Sequence, residues 1–408
     1  MSDRTHNFVQ EQFREYYSNR FEEVDIRSGF EQREFAALLM KNRMMVRHKS
    51  FRTRNELHDF LCSMTPSDMY YSSAYYEQPD APEMGSKGWI GADLIFDIDA
   101  DHIPTSCNKI HDKWICVNCG FKGRGEQPQK CPSCAGEKFD EYTWPCEECL
   151  ESAKGETRKL LDILSKDFGF SEKNTGIFFS GHRGYHVHVE DEIVKNLDSM
   201  ARKEIADYVT GLGLDASLYA FENKESTKDN LEKIGWRNRI IQGILSIIIK
   251  GKIEDLQKIG LKRNIAELIV KNKDMMLENL NAAKSRGLPK GLGMETYRKL
   301  VEQSKKSQSA KVDTVVTTDV HRLIRLPGTL HGKTGFRKVK IPIESLEDFD
   351  PFKKATAFKE GATRIVVSDA PRFKLNDQEF GPFRSERVEL PVAAALLLIC
   401  KKRAELAT

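Results

Sequence analysis

The chain has 408 residues, 31% of them charged and 39% hydrophobic, with a formal net charge of +3. This length allows two or three domains and a sizeable core. The small net charge excludes a global basic field, so any nucleic-acid binding must come from local patches. No apolar run reaches the length of a membrane span, and the polar N-terminus carries no signal peptide. We therefore expect a cytoplasmic protein that binds no membrane.

The hydrophobic pattern predicts a mixture of helices and strands along the chain. The predicted elements are, in order, a helix over 1–20, an extended segment over 44–51, a strand over 93–99, a helix over 150–168, strands over 176–179 and 185–189, a helical region over 193–303, a linker over 304–310, strands over 312–318, 338–342 and 364–367, and a helix over 392–406.

The strand over 93–99 ends in two acidic residues, Asp97 and Asp99. Residues two apart on a strand point to the same face, so these carboxylates project together. Paired carboxylates repel unless cations lie between them, and oxygen ligands suit Mg²⁺ or Mn²⁺. Two such ions are typical of nucleotidyl transfer. The alternative is that Asp-x-Asp is only a turn or a helix cap.

Seven of the nine cysteines lie between positions 107 and 149, and Cys62 and Cys400 stand alone. In a cytosolic chain this pattern indicates metal rather than disulfides, and the two isolated cysteines cannot supply an iron–sulfur cluster. An inner ribbon and an outer knuckle would each give a complete tetrahedral zinc site. The inner set is Cys116, Cys119, Cys131 and Cys134, and the outer set is Cys107, His111, Cys146 and Cys149. Alternatively, Cys107 and His111 are incidental and Cys146 and Cys149 are free thiols.

Two further segments are rich in hydrogen-bond donors. The first is a strand, a glycine-hinged turn and a strand, with Ser180, His182, Arg183 and His186 around the turn. Such a turn can hold a triphosphate, although an exposed basic hairpin turn is the simpler alternative. His188 is expected to be an ordinary packed histidine.

The second segment runs from 312 to 335. Asp313 is expected on a strand, free to join the carboxylates, and Asp319 is expected to cap a following helix. Arg325, His331 and Lys333 offer more phosphate donors.

Three stretches together resemble the signatures of the archaeo-eukaryotic primases, in particular the catalytic small subunit of archaeal DNA primase. They are Asp97-Ile98-Asp99, Ser180-Gly181-His182-Arg183-Gly184-Tyr185-His186 and Arg322-Leu323-Ile324-Arg325-Leu326-Pro327-Gly328-Thr329-Leu330-His331-Gly332-Lys333-Thr334-Gly335. The resemblance covers most of the chain, from about residue 33 to 342. It differs at position 182, where many relatives carry arginine, and in the length of the zinc region.

The resemblance implies an α/β primase catalytic fold over 1–192 and 304–408, a zinc-binding module over 105–150 and an inserted helical domain over 193–303. It implies a catalytic triad of Asp97, Asp99 and Asp313 holding two Mg²⁺ or Mn²⁺ ions. It also implies that the outer cysteine set is the family's structural zinc knuckle and that the inner set is an added ribbon, which would give two structural zinc ions in all. Nucleotide contacts would fall on Ser180, His182, Arg183, His186, Arg325 and His331, with Arg47 at the ribose. The implied partners are nucleoside triphosphates, single-stranded DNA template and a primase large subunit that carries an iron–sulfur cluster and forms a heterodimer with this chain.

We therefore predict the catalytic subunit of DNA primase, which makes short primers on single-stranded DNA. The first alternative is a repair or gap-filling polymerase of the same superfamily, which would extend an existing end. The second is a non-enzymatic zinc-ribbon factor that binds nucleic acid, and it leaves the carboxylates and the Ser180–His186 turn unexplained. The sequence does not indicate whether ribonucleotides or deoxyribonucleotides are preferred.

Overall fold

A computed structural model describes residues 1–25, 29–215, 234–281 and 292–407, without the side chains of 108–109 and 278–281. The chain forms two compact units. The first unit contains Met1–Thr157, Ser171–Lys203 and Val312–Thr408, and the second contains Arg158–Phe170 and Glu204–Lys311. Within the described ranges, no helix is long and apolar enough to cross a membrane.

All described strands belong to the first unit, and all their pairings are antiparallel. They are β1 Phe35–Leu38, β2 Met45–Lys49, β3 Asp68–Ser72, β4 Ala74–Tyr76, β5 Trp89–Ala92, β6 Leu94–Asp99, β7 Lys113–Cys116, β8 Lys122–Arg124, β9 Phe139–Tyr142, β10 Thr175–Phe179, β11 Gly184–Val189, β12 Leu323–Arg325, β13 Val339–Ile341, β14 Ala362–Ala370, β15 Phe373–Leu375, β16 Gln378–Phe380, β17 Phe383–Pro391 and β18 Ala404–Leu406.

The helices are distributed over both units. They are α1 Asp3–Asn19, α2 Arg54–Met64, α3 Asn108–His111, α4 Glu147–Lys166, α5 Glu192–Lys195, α6 Ser199–Thr210, α7 Gly235–Lys250, α8 Ile253–Lys258, α9 Arg263–Lys271, α10 Lys273–Asn281, α11 Met294–Gln308, α12 Thr314–Thr318, α13 Pro351–Lys354 and α14 Val392–Cys400.

Two four-stranded sheets form the centre of the first unit, in the orders β12-β3-β1-β2 and β13-β10-β11-β6. In the second sheet, every residue of β10 and β11 is buried. These central strands are covered on both faces, so even the two histidines of β11, His186 and His188, are buried. The edge strand β6 places its two aspartates beside β11. This sheet therefore positions the acidic residues on a rigid, buried framework.

The second unit, within its described part, is helical. Its core is formed by apolar side chains from α7 to α11, including Trp236, Ile240, Ile244 and Leu300. The buried guanidinium of Arg239 bonds Asp162 at 2.8 Å and Asp167 at 2.5 Å, so α7 is joined to the end of α4. Residues 216–233 and 282–291 of the predicted helical region lie outside the described residues.

Most predicted elements are confirmed, including α1, β2, β6, α4, the β10–β11 hairpin, β13 and β14. Three predictions were wrong. The predicted linker over 304–310 is largely the end of α11, because Leu300 and Ser304 are buried and hold the helix in place. The predicted strand over 312–318 is mainly helix α12. The last helix ends at Cys400, and the chain then continues into β18.

Candidate active site and metal clusters

Asp97 and Asp99 lie at the end of β6, where the strand pairs with β11. The register places Asp97 opposite His186 and Asp99 opposite Gly184. A Cβ atom at Gly184 would come within 2.2 Å of the Ile98 carbonyl oxygen, so this close approach requires glycine. The backbone N–H of Asp313 donates to the Asp97 carbonyl at 2.8 Å. The fold thus brings the three sequence-predicted aspartates to one edge of the sheet.

Burial and neighbouring carboxylates raise the pKa values of the acidic groups at this edge. Burial, then Asp99 and Asp313, raise the pKa of Asp97 to about 7. Burial, then Asp101, also raise the pKa of Asp99. Clustered carboxylates with raised pKa values hold a divalent cation readily, because the ion removes the repulsion that favours the protonated form. The donor set, which contains oxygen atoms only, fits Mg²⁺ or Mn²⁺.

Asp313 has a different local role from the one predicted. It is the N-cap of α12, and its carboxylate accepts from the backbone N–H of Val315 at 2.9 Å. The prediction that Asp319 caps a following helix was wrong, because β12 follows instead. Asp319 ends α12 and accepts from the backbone N–H of His321 at 2.9 Å. Asp313 remains close enough to Asp97 to raise its pKa.

The two segments that are rich in hydrogen-bond donors contact each other next to these carboxylates. Thr334 Oγ1 donates to the Gly181 carbonyl at 2.5 Å. Gly181 has a φ of +88°, and a Cβ atom there would lie 3.0 Å from the Cβ of His331. Ser180 Oγ accepts from the backbone N–H of Gly184 at 3.2 Å and thereby closes the turn. The turn 180–184 and the turn 331–335 therefore form one surface, which we call the paired turns.

Three histidines line this region in their neutral forms. Burial and neighbouring cations lower the pKa values of His182, His186 and His331 well below their usual range. His186 Nε2 lies 3.5 Å from an Asp97 oxygen. His331 Nδ1 accepts from the backbone N–H of Lys333 at 3.0 Å, so its Nε2 carries the proton and can donate. His188 is fully buried and packs against Phe178, as predicted.

The guanidinium of Arg183 is buried and bonded to acidic groups of the protein. It is 1% exposed, bonds both Asp112 oxygens at 2.8 Å and also contacts Asp101. It donates to the Trp144 carbonyl at 3.2 Å as well. This arrangement differs from the expected phosphate contact, because acceptors within the protein already engage both Nη groups of the guanidinium.

Arg325 and Arg47 are also engaged by acidic groups. Arg325 bonds Asp68 at 2.5 Å, and the same Asp68 oxygen accepts from the backbone N–H of Gly332 at 3.1 Å. Arg325 thus helps to hold the turn 331–335 in place through Asp68. Arg47 is more exposed, and its Nε donates to the buried carboxylate of Glu34 at 3.1 Å.

Each predicted cysteine set comes together in space. In both tetrads the ligand atoms lie within 4.8 Å of one another. The sulfur atoms of Cys107 and Cys149 are 3.3 Å apart, and those of Cys116 and Cys134 are 3.6 Å apart. Tetrahedral zinc with bonds of about 2.3 Å requires ligand separations of about 3.8 Å. Both tetrads could therefore bind zinc.

The outer tetrad is connected to the acidic edge of the sheet. His111 turns Nε2 toward Cys149 and places Nδ1 2.7 Å from Asp112, the arrangement that orients a zinc-ligating histidine. Asp112 binds Arg183, Arg183 binds Asp101, and the backbone N–H of Asp101 donates to Asp99 at 3.0 Å. We call this series the zinc-to-carboxylate chain.

Sequence analysis missed several residues that belong to this region. Asp101, Asp99 and His182 place ligand atoms within 4.8 Å of one another. Lys338 is buried and helps to lower the pKa of His186. Lys401 contacts His182. Asp101 follows the Asp-x-Asp pattern at the same spacing and was accessible to sequence reasoning, whereas Lys401 lies far from every motif.

Comparisons with known proteins agree with this geometry. The family model described as DNA primase small subunit matches residues 139–345. The DNA primase small subunit PriS of Methanothrix thermoacetophila is 33% identical and covers 99% of this chain and 100% of the relative. The PriS proteins of Archaeoglobus fulgidus and Nitrosopumilus maritimus are 35% and 30% identical, covering 97% and 100% of this chain and 96% and 100% of the relatives.

The chain therefore belongs to the DNA primase small subunit family, and its relatives are of the archaeal type. Its function is that of the catalytic subunit of DNA primase, a nucleotidyltransferase.

Proposed function

We propose that this chain makes short primers on single-stranded DNA template by nucleotidyl transfer at the edge of β6. One observation carries the proposal: Asp97, Asp99 and Asp313 lie together at the end of β6, next to the paired turns. Asp97, Asp99 and Asp313 would hold two Mg²⁺ or Mn²⁺ ions. Such ions lower the pKa of the attacking 3′-hydroxyl and neutralise the triphosphate and leaving pyrophosphate.

The protein side chains supply binding and orientation. Ser180 shapes the turn, and neutral His331, whose Nδ1 accepts from Lys333, would donate from Nε2 to a phosphate. His182 lies next to Asp99, so a nucleotide held by the carboxylates would reach it. His186 contacts Asp97 and would keep that carboxylate in place. No side chain is needed as a nucleophile, since the hydroxyl of another nucleotide attacks.

The buried arginines are assigned indirect or peripheral roles. Arg183 would position the turn 180–184 through Asp101 and Asp112, and Arg325 would position the turn 331–335 through Asp68. Arg47 would contact the ribose while Glu34 holds its guanidinium. These assignments revise the expected direct phosphate contacts of Arg183 and Arg325, on the grounds that both are already paired with carboxylates.

We further propose that both cysteine tetrads hold structural zinc, because four protein ligands leave no position for a substrate. The catalytic domain would comprise 1–192 and 304–408, with a zinc module over 105–150 and an inserted helical domain over 193–303. The partner would be a primase large subunit that forms a heterodimer with this chain and supplies the iron–sulfur cluster. The family of the relatives supports this partner.

A pair of matched variants tests the site. Asp313→Asn should abolish nucleotide incorporation, since it removes the negative charge with which this side chain would hold the proposed ions. Asp319→Asn should retain it, because asparagine still accepts from the backbone N–H of His321. Incorporation on single-stranded DNA in Mg²⁺ and in Mn²⁺ is the measurement. Full activity of the Asp313 variant, or loss with the Asp319 variant, would show that the third carboxylate is wrongly assigned.

The gap-filling polymerase is the second candidate, and no observation in the structure favours it. It would add nucleotides to a supplied primer and would fail to join two free nucleotides. Family membership supports initiation instead.

A further inference from the structure

The last turn of the buried helix α14 brings a lysine to the paired turns. Lys401 is 8% exposed, and its Nζ lies 2.6 Å from Nε2 of His182. The ring of His182 in turn packs beside that of His331, with ring centroids 5.1 Å apart and planes tilted by 30°. Lys401 follows α14, whose side chains are almost entirely apolar, and it lies outside residues 139–345, to which the family model matches.

This lysine has no acidic partner in the part of the chain that the structure describes. The nearby carboxylates Asp101 and Asp112 are bonded to Arg183, and Asp68 is bonded to Arg325. An ammonium group has three N–H donors, and His182 accounts for one of them on Lys401. The remaining donors are available to an added acceptor.

Lys401 is buried close to other positively charged groups. Burial, then Arg183 and Lys333, lower the pKa of Lys401 to about 7. Lys333 is exposed on the facing turn and, among the described residues, also forms no ion pair. Burying a cation beside like charges is costly unless an anion joins them. An anion bound among these groups would offset that cost.

The order of the carboxylates, His182 and Lys401 indicates which part of a bound nucleotide would contact the lysine. The α-phosphate must lie at the carboxylates, where the new bond forms. His182 is the next group outward, since it shares a cluster with Asp99. Lys401 contacts His182 and forms no ion pair with a carboxylate among the described residues. A phosphate that extends from the carboxylates past His182 would come within reach of Lys401.

We propose that Lys401, together with His182, binds the β- and γ-phosphates of the incoming nucleotide and the pyrophosphate that leaves. This inference rests on the proposed function of the paired turns as the triphosphate site. It adds a substrate-contacting residue from the C-terminal helix. Lysine serves here as a point charge toward several phosphate oxygens rather than as a bidentate donor.

The test measures binding of ATP, ADP and AMP to the full chain in Mg²⁺ at equilibrium. In Lys401→Met, ATP and ADP should bind about tenfold to a hundredfold more weakly, the range expected for one charge-assisted contact. AMP should bind as in the unchanged protein, because it has no distal phosphate. Lys401→Arg should restore most of the affinity. Lys374→Met, at an exposed C-terminal lysine, is the matched control and should bind all three nucleotides normally.

Several outcomes would overturn the assignment. Unchanged ATP affinity in Lys401→Met would exclude a phosphate contact, and equal weakening for all three nucleotides would indicate a purely structural role. If the unchanged protein binds ATP no more tightly than AMP, the paired turns are not the triphosphate site. That result would contradict the proposed function itself, whereas the two results above would contradict only the role of Lys401.

Thermal melting separates binding from folding. Because removal of a buried unpaired cation relieves repulsion, the melting temperature of Lys401→Met without nucleotide should hold or rise. If that variant fails to fold, Lys401→Gln serves in the same assays. A fall in melting temperature for both variants would contradict the proposal that Lys401 is buried without an acidic partner.

Discussion

At the scale of single residues, Asp97 lies close to two other acidic groups. Its side chain is 25% exposed and lies close to Asp99 and Asp313, which raise its pKa together with burial. Asp97→Asn should reduce incorporation by about a thousandfold or more, because metal ligation contributes several kcal/mol to the transition state. Its melting temperature without Mg²⁺ or Mn²⁺ should hold or rise, since one repelling charge is gone.

Primer-synthesis rates and melting curves check both parts of this expectation. The control is Asp80→Asn, at an exposed aspartate for which the described structure records no ion pair, and it should change neither quantity. Near-normal incorporation by the Asp97 variant would exclude Asp97 as a metal ligand.

The raised pKa of Asp97 also predicts a pH dependence of stability. Between its ordinary value of 3.8 and about 7, the folded protein binds a proton that the unfolded chain does not. The stability that this extra proton on Asp97 gives the folded protein is therefore complete below about pH 4. It falls as the pH rises to about 7 and is constant above that. The loss is at most about 1.4 kcal/mol per pH unit.

This dependence can be isolated by comparing wild type with Asp97→Asn. Melting should be followed from pH 4 to 8 in buffers without Mg²⁺ or Mn²⁺, with zinc retained. We expect the variant to gain relative stability as the pH rises. A difference that is constant with pH would contradict the raised pKa.

The sequence reveals some site residues and conceals others, depending on how local the signal is. Asp97 and Asp99 follow from strand periodicity, and the cysteine spacing predicts both tetrads. Arg183 looked like a phosphate donor because its partners Asp101 and Asp112 are more than 70 positions away. Lys401 carries no local signal at all. The role of Lys401 can be inferred only from its contact with His182, which lies 219 positions earlier in the chain.

At the scale of elements, the segment around Asp313 shows why local propensity fails. The run Thr314–Thr318 is rich in β-branched residues, which favour strands. Asp313 nevertheless satisfies two backbone N–H groups, of Val315 and Val316, and buried Val316 and Thr317 fix the turn of helix. Capping and burial outweigh the propensity of five residues. The same reasoning explains α11, which passes through a polar stretch because its other face is buried.

The zinc-to-carboxylate chain makes a prediction about the outer tetrad. Asp112→Asn should weaken zinc binding there about tenfold to a hundredfold, because Asp112 orients the ring of His111. Zinc release into a colorimetric chelator should then show one of two zinc ions leaving faster. Asp140→Asn, at an exposed position on β9 of the same module, should not change release. Equal release rates in Asp112→Asn and wild type would show that Asp112 does not support the zinc site.

The two tetrads also predict the metal content of the module. Elemental analysis should find two zinc ions per chain. Cys119→Ser combined with Cys131→Ser should leave one zinc ion and retain catalysis, because the outer tetrad that reaches Asp112 is intact. One zinc ion in the unchanged protein would mean that one tetrad does not bind metal.

At the scale of the whole molecule, charge is organised locally. The net charge of +3 predicts no general attraction for nucleic acid, so nucleic-acid binding must depend on local basic groups. The relatives match nearly the whole chain, so the family assignment applies to the whole protein rather than to one module. Whole-chain function was accessible from sequence because three separate motifs occur in family order, whereas the pairing of the two turns required the structure.

The central claim is that this chain begins nucleic-acid strands rather than only extending them. Incubation with single-stranded DNA, Mg²⁺ or Mn²⁺ and γ-labelled nucleotides tests it, because the γ-phosphate survives only on the first nucleotide of a new strand. We predict short products that carry the label, made by wild type and not by Asp97→Asn. Incorporation of α-label onto a supplied primer, without any γ-labelled product in the presence or absence of the large subunit, would contradict the account.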